Sequence, residues 1–554
     1  METLAYNGTL YYLPATNADV TSLVQQAMQQ NVKIRVRGSG HSFPPGIILQ
    51  PTDDPNSANQ PINVMLSKMR QVTIGNQITV DGTSYTLVTA QAGCNLGIDP
   101  FDITGISTLE NSLLYQLQQV NLSLPDLGGI THQALGGFSC MGCAGGSLTH
   151  GFDEAIYSIT IIPANSANPQ PVTYTYGTDN FYAAGVSMGL LGIIVEMQLL
   201  ASPTFNISGS EVVGLVGQDT QVDLFGTSTV NPAPPNLQTW LQNTEYTRII
   251  WWPQNIYGAN ATNYTSKLNG TRSVVWNASR ISPEPNFKPN PYKEVQPWLG
   301  TELLPEAAAG TLYSLIGKWP SWLRTLSGII GNPTMAQYVN AIATASPQIQ
   351  NWVFYSFIMP AVLDMFVSTK QDGQPDPQSF QDYWYTGLPM DNQMNDALFP
   401  VWFTELWIDI NDAQNVMTTL GQIYNDYYNN GLYNDNNMNP LIPNGAFSVE
   451  IYGAKSSNFW LSPSYGTNVV RVDVMWIGRN NSNPSVYYNM FWEQLKKYNF
   501  RAHWAKYNPN YSSPEWSNYL QSVYPKLDAF LALRAANDPQ KVFVNDDWAQ
   551  QFGL

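Results

Sequence analysis

At 554 residues the chain is longer than one compact core accommodates, so two domains are the expectation. Hydrophobic residues make up 44%, enough for large cores, whereas charged residues make up only 12%. A formal net charge of −16 argues against nucleic acid or an anionic membrane as a partner. No apolar run approaches transmembrane length, and the N-terminus METLAYNGTLYYLP lacks a basic stretch followed by an apolar one. A cytoplasmic location is therefore favoured over secretion, although Asn-x-Ser/Thr sequons stand at Asn260, Asn263, Asn269 and Asn277. Three cysteines, Cys94, Cys140 and Cys143, cannot make a disulfide framework. No metal site is expected. His41, His132, His150 and His503 are far apart, and Cys140–Cys143 is a lone C-x-x-C that reads as two small buried thiols.

In chain order, the first element is a helix over Asp19–Gln30, with Val20, Leu23, Val24 and Met28 on its apolar side. Residues 32–45 then read VKIRVRGSGHSFPP. Lys33, Arg35 and Arg37 alternate with Val32, Ile34 and Val36, the pattern of a strand with one buried face. The strand runs into Gly38-Ser39-Gly40-His41-Ser42, where two glycines permit positive φ and successive N–H groups can form a concave anion site. A bare Gly-x-Gly says little, but this helix–strand–loop order resembles the opening of the covalent-flavin oxidoreductases of the vanillyl-alcohol oxidase superfamily. The resemblance implies that Arg37, Gly38, Ser39, Gly40, His41 and Ser42 cradle the FAD pyrophosphate and that His41 carries the flavin on its 8α-methyl carbon.

Residues 50–61 are polar and Pro-rich, a surface loop, and residues 62–97 read as strand-rich, with a hairpin turn at Asp81-Gly82. Ala92-Gly93-Cys94 with Leu96-Gly97 resembles a step that leads into a helix in the same family. Residues 124–162 hold eight glycines from Gly128 to Gly151, a density for which close approach to a planar cofactor is a reason. This stretch resembles the family's second flavin segment, which would set Asp126, Gly128, Gly136, Gly137, Ser139, Gly142, Cys143, Gly145, Gly146, His150 and Gly151 against the cofactor. Cys143-Ala144 departs from the Thr-His usual in sugar oxidases of the family. Residues 180–195, NFYAAGVSMGLLGIIV, resemble a third segment that brings Gly192 and Ile194 to the FAD, with Ile193–Val195 in a strand.

From about Ser202 the texture turns to Pro, Asn and Trp, as at the start of a cap domain with inserted helices around Thr311–Leu326 and Thr334–Ala345. Residues 404–424 read as a strand followed by an amphipathic helix with Val416, Leu420 and Ile423 inward. Residues 425–439 read as a mobile loop. Two alternating strands over 447–476 flank a Trp460-Leu461-Ser462-Pro463-Ser464-Tyr465-Gly466 loop. This resembles the alditol and aldonolactone oxidase branch, in which a Glu-x-Arg on the first strand faces the flavin. Glu450 matches the Glu, and Tyr452 stands where the Arg would be. Two residues apart on one strand, both point to the same side. Arg501-Ala502-His503-Trp504-Ala505-Lys506 is similar to the branch's R-P-H-W-G-K signature, whose Lys lies beside flavin and substrate. The terminal D-P-x-x-x-F-x-N at Asp538–Asn545 matches as well.

The resemblance implies an α+β protein: a PCMH-type FAD-binding domain over 1–203, an α/β cap with an antiparallel sheet over 204–498, and a C-terminal segment, 499–554, returning to the FAD domain. Its expected function is oxidation of an alcohol, polyol or sugar-like substrate by hydride transfer to covalently bound FAD, with oxygen as acceptor. Glu450, Lys506, His503 and Tyr452 are the catalytic candidates, the first three as base. The alternative on the same scaffold is a biosynthetic enzyme that cyclises or desaturates a bulkier compound. Oligomeric state is left open.

Overall fold

The computed structural model describes residues 1–52, 59–218, 220–253, 268–292, 327–346, 349–350, 378–392, 401–429, 446–477, 484–509 and 514–554, with positions 311, 325, 353 and 367. Three sheets follow one another along the chain. The first holds β1 (Glu2–Tyr6), β2 (Thr9–Leu13), β3 (Ile34–Val36) and β4 (Ile62–Val64), in the order β1-β2-β4-β3. The helix Asn17–Gln30 crosses from β2 to β3. It starts on a capping box between Thr16 and Asp19 and buries Val20, Leu23, Val24 and Ala27.

The second sheet holds β5 (Val72–Val80), β6 (Thr83–Gln91), β7 (Leu122–Ser123), β8 (Ile156–Ile162), β9 (Val172–Thr175) and β10 (Ile193–Pro203), in the order β5-β6-β10-β8-β9 with β7 on β10. The β5–β6 hairpin turns at Asp81-Gly82, both at positive φ, as that dipeptide predicts.

The third sheet is antiparallel throughout. It holds β11 (Asn206–Leu215), β12 (Tyr246–Trp252), β13 (Arg272–Ile281), β14 (Gln378–Tyr383), β15 (Val401–Asp409), β16 (Ala446–Ala454), β17 (Val469–Ile477) and β18 (Arg501–Ala502). Their order is β14-β11-β13-β12-β16-β17-β15-β18. The helix Ala413–Asn429 buries Val416, Leu420 and Ile423, matching the expected inward stripe. The α+β class and the antiparallel sheet agree with the sequence reading.

Three local expectations change. Arg35 does not sit on a solvent-facing side. It is 4% exposed, and its guanidinium donates to Phe543 O at 3.0 Å and Met188 O at 2.7 Å. The alternation is real, but the C-terminal segment covers the second face, with Ile34 N donating to Val542 O. The helix after Gly97 is displaced to Leu113–Gln119, because Asp102 accepts from the N–H groups of Thr104, Ile106 and Ser107 and holds the intervening stretch in turns. Leu113 N and Leu114 N still bond back to Asn95 O and Leu96 O, so the loop is spliced into a step that would otherwise continue directly. The sequon side chains are engaged within the chain, Asn269 donating to Thr227 O in a connection and Asn277 to Ser210 O across the third sheet. Asn260 and Asn263, most of the expected helix Thr311–Leu326, residues 53–58 of the polar loop and residues 430–439 lie outside the described residues. The expected helix near 334–345 is present as Pro333–Ala343, capped by Asn332.

Candidate active site

Four sequence segments converge around the His41 loop. Ser39 Oγ donates to His132 O at 2.6 Å, and Asn95 Nδ2 donates to the same carbonyl at 2.7 Å. Ser187 N and Met188 N donate to Cys140 O, which locks the third motif segment onto the second. Phe43 N donates to Ala505 O, which brings the C-terminal segment over the loop. Arg35 joins β3 to Met188 and Phe543, as described above.

Within the loop Gly40 has φ +88, a conformation that strains any other residue, and a Cβ there would also push on the end of the Arg37 side chain, 2.7 Å from Nη2. The His41 and His132 rings stand 5.5 Å apart. Burial, then His132, Lys506 and Arg37, push the His41 imidazole down to about 3. His41 is therefore a neutral imidazole at ordinary pH.

The glycine density of the second segment has a different cause at each position. A Cβ on Gly136 would meet Ala92 Cβ at 2.9 Å, and one on Gly145 would meet Leu127 O at 2.1 Å. These glycines serve packing within the chain itself. Gly137, in the helix Leu135–Cys140, is the contrast: beyond its chain neighbours and its own helix backbone, no atom of the described residues lies within 4 Å of where its Cβ would be. Gly128 backs onto the Phe138 ring, and Gly146 onto Thr247 O. Gly192, at φ +146, sits against Ile162 O, and Ile194 is buried opposite Ile161 in β10. Asp126 is buried and accepts from Gly145 N at 3.1 Å, and burial pushes its carboxyl up to about 8. Ser139 Oγ donates to Gly185 O. His150 pairs with Glu245 at 2.9 Å and stacks on Tyr246. Ser139, Gly142, Cys143 and His150, with Trp407, Phe459, Ser462 and Ser464, line a cleft of about 430 Å³, open mouth included.

The third sheet presents a charged face to this region. Glu450 lies opposite Asp473, and Tyr452 opposite Arg471, in the β16–β17 register. Glu405 and Trp407 extend the same rows on β15. Arg471 is fully engaged. Its Nη2 lies 2.6 Å from Glu405 Oε1, its Nη1 donates to Ala144 O and Gly145 O at 3.0 and 2.8 Å, and its guanidinium stacks 4.1 Å from the Tyr452 ring. Arg471 is thus the cross-strand neighbour of Tyr452, the residue that stands where the resemblance placed an Arg.

Glu450 is 3% exposed, and Tyr452 Oη donates to its Oε2 at 3.0 Å, while Oε1 has no hydrogen-bond partner among the described residues. Arg248 Nε lies 3.8 Å from Oε1, and Arg248 is itself paired with Asp391. Burial, followed by Asp391, pushes the Glu450 carboxyl up to about 8 against the pull of Arg248.

Lys506 and His503 sit in a turn, closed by Lys506 N donating to His503 O, rather than on a helix. His503 Nδ1 accepts from Ala505 N at 3.1 Å, which fixes a neutral tautomer, and burial pushes it down to about 4. The Lys506 ammonium lies 3.8 Å from the Phe403 ring centroid and acts electrostatically on His41, His503, Cys143 and Glu405. Glu450 instead answers to Asp391, Arg248 and Arg471. The structure therefore gathers Glu450 with Tyr452, and Lys506 with His503 and His41.

Arg248, Glu405, Arg471 and Asp473 escape sequence reasoning. Their signal is a charge set between apolar neighbours, as in Val470-Arg471-Val472-Asp473-Val474, on strands buried on both faces.

The D-arabinono-1,4-lactone oxidase family model matches residues 226–552. L-gulonolactone oxidase of Mus musculus is 25% identical over 247 residues, 44% of this chain and 46% of that protein. D-arabinono-1,4-lactone oxidase of Yarrowia lipolytica is 26% identical over 320 residues, 56% of this chain and 48% of that protein. The chain thus spans about half the length of the curated relatives it matches. Among solved structures, cholesterol oxidase from B. sterolicum covers 98% of this chain and 94% of its own, at 13% identity and a TM-score of 0.63. A VAO-type flavoprotein from Myceliophthora thermophila covers 96% of this chain and 78% of its own, at 10% identity and a TM-score of 0.53. These likenesses show the fold.

Proposed function

Because the chain belongs to the D-arabinono-1,4-lactone oxidase family, we propose that it is an FAD-dependent oxidase acting on the CH–OH carbon of an aldonolactone, with oxygen as the final acceptor. This narrows the alcohol-or-polyol expectation to a sugar lactone, since the relatives carry lactone names. The observation that carries the reading is the Glu450 carboxylate. It is buried, one oxygen accepts no hydrogen bond among the described residues, and its sheet is bolted to the second motif segment by Arg471.

The residues present fit FAD. The Gly40 turn and the open space at Gly137 leave room for a ligand. The neutral His41 imidazole keeps a nitrogen lone pair, which a covalent link to flavin requires. Residues 37–42, the 136–146 segment and Gly192 would hold the cofactor. When bound, FAD supplies the two-electron acceptor for the substrate hydride. The chain's own work is positioning and charge. Glu450 takes the hydroxyl proton. Tyr452 and Arg471 fix the face on which the substrate rests. Lys506 sets a positive charge beside His41, where negative charge developing on the cofactor is stabilised.

The test is anaerobic bleaching of the flavin absorption band by D-arabinono-1,4-lactone and L-gulono-1,4-lactone, with hydrogen peroxide release in air. The reduction rate should rise as pH passes about 8, because the base works only when ionised and the Glu450 carboxyl is held near that value. Bleaching by neither lactones nor alditols would reject the reading.

A further inference from the structure

The Tyr452 hydroxyl lies within hydrogen-bond distance of two buried carboxyls, 3.0 Å from Glu450 Oε2 and 2.7 Å from Asp473 Oδ2. A phenol has one hydrogen to give. If both carboxyls were ionised, Tyr452 could donate to one and would turn its lone pairs toward the other. The geometry is satisfied when one carboxyl is an acid: its O–H donates to Tyr452, and Tyr452 donates to the remaining carboxylate.

Charge on the surrounding elements points the same way. Arg471 is committed to Glu405, and Arg248 to Asp391. Beyond these two pairs, Glu450 and Asp473 bury two more carboxyls, at 3% and 1% exposure, eased by the 3.8 Å approach of Arg248 to Glu450 and by the charge of Arg471, which is already paired with Glu405. Two like-charged groups in one dry site keep a proton between them. Glu405 adds a third negative charge beside Asp473 on the β15 side. His503 and Lys506 act on Glu405. Asp473 Oδ1, like Glu450 Oε1, accepts no hydrogen bond among the described residues.

We propose that Asp473 keeps a proton while Glu450 gives up its own, and that Tyr452 bridges the two, so that Asp473–Tyr452–Glu450 is a proton-holding triad that readies Glu450 as the base. Asp473 O–H donates to Tyr452 Oη, Tyr452 O–H donates to Glu450 Oε2, and Glu450 Oε1 stays open. When the substrate O–H bond breaks, its proton goes to Glu450 Oε1 and the electron pair stays on the substrate oxygen. Asp473 is a positioning residue, since it acts through Tyr452. Burial and the neighbouring Glu405 raise the Asp473 carboxyl well above its ordinary range, whereas Arg248 approaches Glu450, which agrees with where the proton is placed.

This rests on the lactone-oxidising reading only for what the base acts upon. The experiment reads the resting holoenzyme without substrate, so the two can fail separately. Infrared difference spectra between wild type and single variants identify the form each carboxyl takes. At about pH 9, above the Glu450 titration, wild type minus Asp473→Asn should show one protonated-acid carbonyl band that shifts in deuterium oxide. At the same pH, wild type minus Glu450→Gln should show carboxylate bands, and at about pH 6 an acid band instead. Carboxylate bands from Asp473→Asn at the alkaline pH, or an acid band from Glu450→Gln there, would overturn the proposal. If Asp473→Asn does not fold, Glu450→Gln decides alone: an acid band at the alkaline pH overturns the triad, and carboxylate bands support it.

Discussion

At His41 two physical effects favour the same protonation state. Removal from water disfavours imidazolium, and Lys506 and Arg37 add like-charge repulsion. A nitrogen lone pair is thereby available at the lip of the loop for a bond to carbon. With FAD attached there, the flavin should remain with the chain through acid or heat denaturation, and His41→Ala should release it on unfolding. A mass spectrum of the flavin peptide should show a single attachment. Cys140 and Cys143 are half-buried, and burial raises both thiols, to about 11 and about 12, so neither offers thiolate at ordinary pH. Freely extractable flavin in the wild type would reject the link while leaving the fold intact.

At the scale of single strands, the motif loops were legible and the charged face was not. Glycine-rich turns announce themselves because their requirement is local: Gly40, Asp81-Gly82 and Gly192 adopt backbone conformations that the residue type itself allows. The role of a charge on a strand depends on what covers its face. Arg35 alternates as a surface residue would, and only the distant segment around Phe543 makes it a buried donor. Glu450 was found through a motif and Arg471 was not, although they lie on adjacent strands of one face. Glycine density was partly misread for the same reason, since Gly136 and Gly145 answer to Ala92 and Leu127. Arg471 offers a test at this scale. Its replacement by Met leaves Glu405, 2% exposed, without its cation and removes the bonds to Ala144 and Gly145. Breaking a buried pair in this way should cost about 3–5 kcal/mol in denaturant unfolding. Arg471→Met with Glu405→Gln should recover part of the loss, because the stranded charge is gone. Equal losses in the single and double variants would mean that the contacts to the second segment, rather than the ion pair, dominate.

For the whole molecule, the last fifty or so residues are the brace between the first and third sheets. β18 extends the third sheet beside Glu405 and Trp407, and the chain then runs through helices Glu515–Val523 and Leu527–Asn537 to β3. There Ile34 N donates to Val542 O, Asn545 Nδ2 donates to Pro45 O at 2.8 Å, and Trp548 Nε1 donates to Gly46 O at 2.9 Å. The Trp548 ring fills the space where a Cβ on Gly46 would stand, 3.3 Å from the nearest ring atom, and packs on Trp504 and Phe552. Pro45 and Gly46 follow His41 closely in sequence, so this anchor also fixes the exit of the cofactor loop. Trp548→Ala should therefore have two effects. Loss of a buried Trp with its hydrogen bond should cost about 3–5 kcal/mol of stability. The fraction of chains carrying covalent flavin should also fall, because His41 is no longer held in one position for bond formation. Trp516→Ala is the matched comparison, since Trp516 is equally buried but donates to Gln551 and stacks on Tyr519, away from the loop. Flavin per chain, read from absorbance of the denatured protein, separates the two effects. If both variants lose stability and keep full flavin, the C-terminal brace holds the sheets together without setting the cofactor loop. A flavin deficit confined to Trp548→Ala would locate that function in the contact between Trp548 and Gly46.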